Sequence, residues 1–202
     1  MKLRHSPTSP FVRKVSVTLH ETGQFDSVEL EMTNVWDPDT DIGEENPIGK
    51  VPALIADDGT VYVESVMICE YLDSLHDGPK LYPPEGPARW RVLRLQALAD
   101  GIIGAAVDRV VESRRPADKQ WDGWHERRRI AIARTLNLLE TEAEMLGDGV
   151  NAGTIALGCA LDYLDFRFPG EDWRNNRPKL ETWFDRFSIR PSMQATRPHD
   201  PA

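Results

Sequence analysis

The sequence predicts an α/β domain followed by an all-α domain. Extended and helical patterns alternate through the first 78 residues, prolines and a glycine crowd positions 79–87, and beyond them every periodic segment is helical. The 202 residues suffice for two domains of ordinary size. The expected division is residues 1–78, a linker over 79–87, and residues 88–202.

In the first domain, Lys2 to His5 reads as a short strand ended by Ser6, Pro7, Thr8 and Ser9. Pro10 suits a first helical turn, where its missing N–H has no partner to lose. Phe11, Val12, Val15 and Leu19 keep helical spacing until Gly23. Ser27 to Met32 alternates polar and apolar residues, the pattern of a strand with one buried face. Residues 37–46 are acidic and proline-interrupted, a loop with room for a short helix. Val51 to Ala56 and Val61 to Val63 flank Asp58-Gly59, a strong hairpin signal. Ser65 is expected to cap a helix running to Leu75 and closed by Gly78 and Pro79.

In the second domain a long helix runs from about Ala88 to Arg114, ended by Pro116. Another covers Lys119 to Leu146, where Gly147 and Gly149 break it. Asn151 caps the next, with Val150 and Ile155 spaced as a hydrophobic staple. Pro169-Gly170 ends it, and a last amphipathic helix spans Pro178 to Ile189 before Pro191.

Composition excludes several functions. Lys plus Arg is 24 against 33 Asp plus Glu, a net charge of −9, and the pI is near 5.1. A surface that acidic repels nucleic acid and anionic membranes. No apolar run approaches the roughly 18–20 residues that span a bilayer. The amino terminus lacks a leader's apolar core. Cys69 and Cys159 lie far apart in apolar helical stretches and read as buried core thiols of a reduced, cytoplasmic protein. The five histidines have no metal-ligand spacing. Trp90, Trp121 and Trp124 are read first as packing residues, with pocket lining as the alternative.

Three segments of the first domain suit one ligand. Ser9, before Pro10 and Phe11, sits where a cap oxygen accepts a backbone N–H and its proton points outward, beside a positive helix end. Val51-Pro52, opening a strand, is a candidate cis peptide whose Val51 N–H and C=O are left to pair with an extended peptide. Lys50 supplies a cation for a carboxylate, Ser65 suits an α-carboxylate and Glu64 an α-ammonium. An amine, two carboxylates, a peptide backbone and a thiol together describe glutathione. Each residue also has a plainer reading: Ser9, Glu64 and Ser65 as caps, Lys50 as a solvated lysine, Val51-Pro52 as a shape element. Ser6 and Thr8 are rival hydroxyls on the same turn.

Ser9-Pro10-Phe11-Val12-Arg13-Lys14-Val15, Asn46 to Leu54 and Glu64-Ser65 resemble the glutathione S-transferases, as do Ala99-Asp100-Gly101-Ile102 and Ala160 to Arg167. The likeness covers nearly the whole chain, is nearest to a small bacterial branch, and has a tau-like Ser-Pro-Phe start. It implies a thioredoxin-like first domain, a helical second domain and a homodimer. It also implies thiolate stabilisation by Ser9 and glutathione binding by Phe11, Lys50, Val51, Pro52, Glu64 and Ser65. The expected chemistry is attack of the glutathione thiol on a hydrophobic electrophile, without a metal, in an apolar second-domain pocket between Asp100 and Arg109 and near the carboxyl terminus. The alternative is a non-catalytic interaction protein of the stringent starvation type. One departure is Asn151 with Thr154 where the family commonly has Ser or Thr and then Asp. Thr154 is not expected to reciprocate as an anion does, which predicts a weaker helix start.

Overall fold

The computed structural model describes residues 1–200 and divides into two compact units, Met1–Pro84 with the stretch from Pro191 on, and Glu85–Arg190. In the first unit β1 (Lys2–His5) leads into α1 (Pro10–Glu21), then β2 (Glu29–Met32), a single-turn α2 (Ile42–Glu45), β3 (Ala53–Ile55), β4 (Val61–Val63) and α3 (Ser65–Ser74). The sheet order is β2-β1-β3-β4, with β1 parallel to β2 and antiparallel to β3. The predicted hairpin is present: the Ala56 N–H reaches the Thr60 carbonyl at 2.9 Å, and Gly59 supplies φ +84° for the turn. Leu3, Leu54, Val12, Val15, Leu19, Ile68 and Leu72 are fully buried, so the sheet and the packed pair α1 and α3 share one apolar core.

β2 departs from the expected pattern. It begins at Glu29 rather than Ser27, and Leu30 and Met32 are exposed. As an edge strand it has β1 as its one sheet neighbour. Ser65 is also not the cap of α3. Glu64 holds the cap position, with φ +68°, and Ser65 is the first helical residue.

The proline-rich stretch after α3 is irregular but held. Leu81 and Tyr82 are buried, and their N–H groups donate to the Asp73 carboxylate at 2.8 and 3.1 Å. The carboxyl-terminal segment, expected with the helical domain, packs on α1 instead. The short α8 (Pro191–Ala195) buries Met193, and the buried Arg13 donates to the Met193 carbonyl at 3.1 Å and to the Thr196 hydroxyl at 3.4 Å. Those bonds give an otherwise costly buried guanidinium its acceptors.

The second unit contains α4 (Gly86–Ser113), α5 (Asp122–Glu142), α6 (Ala152–Arg167) and α7 (Pro178–Ser188). α6 is buried on every side from Ala152 to Leu161 and packs chiefly on α4. Its start corrects the expectation above. Asn151 Oδ1 accepts from Gly153 and Thr154, and the Thr154 hydroxyl accepts the Asn151 N–H at 2.9 Å. A neutral hydroxyl therefore closes the capping box without an anion. Trp90 and Trp121 are exposed rather than packed, whereas Trp124 carries the Arg128 guanidinium 4.0 Å above its ring.

Candidate functional site

Strand register gathers the three sequence-predicted segments at one end of the sheet. Arg4, Ala53 and Val63 stand side by side across β1, β3 and β4. Beyond that row the chain leaves β1 toward Ser9, enters β3 from Val51-Pro52, and leaves β4 into Glu64-Ser65.

Ser9 is the N-cap of α1, and its Oγ accepts from the Val12 N–H at 3.3 Å. The hydroxyl proton has no acceptor among the described residues. Ser6 and Thr8, the rival hydroxyls, bond to each other at 3.1 Å. With Pro10 at the first helical position and the Val12 and Arg13 N–H groups taken by Ser9, the one free N–H of the first turn of α1 is that of Phe11, and it lies with the positive helix end beside the Ser9 oxygen.

The Val51-Pro52 peptide is cis. Neither the N–H nor the C=O of Val51 has a partner among the described residues. Lys50 is exposed, and its carbonyl accepts from Asn46 Nδ2 at 2.7 Å. Asn46 is buried and also accepts the Ile48 N–H at 3.1 Å through Oδ1. This side chain shapes the approach to Val51, a role that sequence reading did not assign to it.

Glu64 is exposed and holds a φ that few non-glycine residues adopt. It turns the chain so that Ser65 opens α3 with its N–H free of an intrahelical acceptor. Ser65 is buried, and its Oγ receives the Lys14 ammonium at 3.2 Å. Lys14 Nζ also lies 5.9 Å from the centroid of the half-buried Phe11 ring. By spacing alone Lys14 reads as one of the intervening polar residues of α1, with no partner signalled. Its position three residues after Phe11 and four before Thr18 puts it on one helix face with them. Nearby, burial and the facing His199 hold the His5 imidazole below its usual range.

Neither cysteine lies at a helix start. Cys69 and Cys159 are buried, and Cys69 Sγ accepts from the Thr18 hydroxyl at 3.4 Å. Among the described residues no three His, Cys, Asp or Glu side chains are grouped to hold a metal. No described helix is long and apolar enough to cross a membrane. Within the second unit a cavity of about 370 Å³ is walled by Arg109, Ile132, Leu136, Leu164, Phe168 and Trp173. Arg109 is occupied there, bonding Glu171 at 3.0 Å and stacking 4.0 Å over Phe168.

These features agree with comparisons to known proteins. The glutathione S-transferase N-terminal domain model matches residues 3–80, and the C-terminal domain model matches residues 122–186. The chain belongs to the glutathione S-transferase family. As a member of it, the chain has the family's thioredoxin-like N-terminal domain and helical C-terminal domain. It is 36% identical to the uncharacterised GST-like protein YibF of Escherichia coli K12, over 98% of each chain. It is similar, at 44% identity and a TM-score of 0.94 over 98% of each chain, to a glutathione transferase family member from Pseudomonas fluorescens Pf-5 solved with bound glutathione. A glutathione S-transferase from Methylobacillus flagellatus, solved with GSH bound, is 34% identical with a TM-score of 0.92, over 98% of this chain and 99% of that one.

Proposed function

We propose that this glutathione S-transferase family member binds glutathione at the sheet end bearing Ser9, Val51 and Ser65, and directs the ionised thiol at a hydrophobic electrophile. The observation that carries this reading is the Ser9 hydroxyl: its oxygen accepts the Val12 N–H, its proton is unclaimed among the described residues, and it stands at a helix N-terminus.

Mostly ionising a thiol at neutral pH requires lowering its pKa by about two units, or roughly 2.7 kcal/mol. One hydrogen bond to a charged acceptor contributes about 1.5–3 kcal/mol. The helix end adds about 0.3–1 kcal/mol. Together they span about 1.8–4 kcal/mol, which brackets the requirement without a metal or a histidine.

The other residues bind and orient. The open N–H and C=O of Val51 pair with the cysteinyl backbone, as a neighbouring strand does. Lys50 faces the glycyl carboxylate, Glu64 the γ-glutamyl ammonium, and the Ser65 hydroxyl and N–H the γ-glutamyl carboxylate. Phe11 and Pro52 flank the peptide. The protein acts as a cytoplasmic homodimer of a small bacterial branch with the tau-like Ser-Pro-Phe start.

Calorimetric titration with glutathione, followed by ultraviolet absorbance of the bound thiolate against pH, tests this reading. The expected result is saturable binding with the sulfur ionised near neutrality, and loss of that ionisation in Ser9→Ala. Absence of binding overturns it and favours the non-catalytic interaction role.

A further inference from the structure

The buried contact between α1 and the start of α3 assigns a task to Lys14. Lys14 is 1% exposed, a burial that an ammonium tolerates only with hydrogen-bond partners. One of those partners is Ser65 Oγ at 3.2 Å. A lysine ammonium only donates, so the serine oxygen is the acceptor in this bond. The Ser65 proton must then point elsewhere, and no acceptor for it exists among the described residues. Ser65 is itself buried, so this unclaimed proton is costly unless a ligand oxygen takes it.

We propose that Lys14 is a positioning residue for the γ-glutamyl end of glutathione. Its ammonium fixes the Ser65 hydroxyl with the proton turned outward to the ligand's α-carboxylate, and stands as a positive charge behind that bond. The inference rests on the glutathione reading above and deepens it. A serine alone rotates freely and presents lone pair or proton with equal ease, whereas one held by a donor-only neighbour presents the proton.

The test compares glutathione with γ-aminobutyryl-cysteinyl-glycine, which lacks the α-carboxylate, by calorimetry on the full chain. Lys14→Met is expected to weaken glutathione about tenfold and the analogue less than about twofold, because one charge-assisted bond is affected. Lys14→Arg, also a donor-only cation, is expected to stay within about threefold of the parent. In a Ser65→Ala background, Lys14→Met is expected to cost less than about twofold more. Should the methionine variant not fold, Lys14→Gln serves. Its amide both donates and accepts, so it releases the serine proton and shows the same selective loss. Equal weakening of both ligands, additivity with Ser65→Ala, or unchanged glutathione affinity overturns the role of Lys14 while binding by the parent chain still stands. Failure of the parent chain to bind glutathione overturns the underlying reading instead.

Discussion

Gly153, in the first turn of α6, lies against the Val92 carbonyl of α4. A Cβ built at position 153 falls 2.8 Å from that oxygen and 2.9 Å from Leu95 Cβ. The obstacle is partly backbone and cannot yield by a side-chain rotation. Gly153→Ala is therefore expected to lower stability by about 1–3 kcal/mol through overpacking, more than the roughly 1 kcal/mol of helix propensity that alanine adds. Urea unfolding monitored by circular dichroism checks this. A more stable variant would show that α4 and α6 separate freely at this contact.

Asp73 is the anchor of the stretch after α3. Its carboxylate accepts from Leu81 N–H, Tyr82 N–H and, at 3.0 Å, the His76 ring. Asp73→Ala leaves two buried backbone donors without an acceptor, and is expected to cost about 2–4 kcal/mol. Asp73→Asn, which keeps one acceptor oxygen, is expected to fall between parent and alanine in a thermal melt.

Ser9→Ala separates binding from activation. Glutathione affinity should change little, while turnover with a hydrophobic electrophile should fall by about ten- to a hundredfold, the value of one bond to an anion. The same substitution removes the α1 cap and is expected to cost about 0.5–2 kcal/mol of stability. Steady-state kinetics and melting on one preparation distinguish the two effects.

Glu64 holds φ +68° without being glycine. Such a conformation costs on the order of 1–3 kcal/mol. Glu64→Gly is expected to raise stability by roughly 1 kcal/mol and to weaken glutathione, whereas Glu64→Gln should weaken glutathione with little gain in stability. Calorimetry and denaturant titration of the pair check both halves.

Two histidines make stability pH-dependent. Burial, then the neighbouring His199, lowers the pKa of His5. Burial lowers that of His20, opposed by Asp26 and Glu21. The unfolded chain therefore binds more protons just below the ordinary histidine pKa of about 6.5, so stability rises with pH through that window and falls on acidification. His5→Gln together with His20→Gln should flatten the slope between neutral and mildly acidic pH in urea unfolding. An unchanged slope would place its origin in other groups.

Much of the candidate site's geometry was legible because it is local. The Ser9 cap needs only Pro10 and an apolar helix after it, and the hairpin needs only Asp58-Gly59 between apolar runs. Partners distant along the chain were not legible. Nothing near Lys14 announces Ser65, nor does Asn46 announce that its amide will close on the Lys50 carbonyl. The buried face expected for β2 failed for the same reason. Alternation marks Leu30 and Met32 as apolar, but only the strand order makes β2 an edge.

The sequence by itself determined the α/β-then-helical order, the helix start at Pro10 and the helix cap at Asn151, and the family to which the chain belongs, because these depend on residue types at short fixed spacings. Tertiary structure alone decided which groups meet: Arg13 with the chain around Met193, Asp73 with Leu81, and Lys14 with Ser65. The reason is physical. Burying a charge or a polar group requires a partner, and that partner is supplied by whichever distant segment the packed core brings within hydrogen-bond reach.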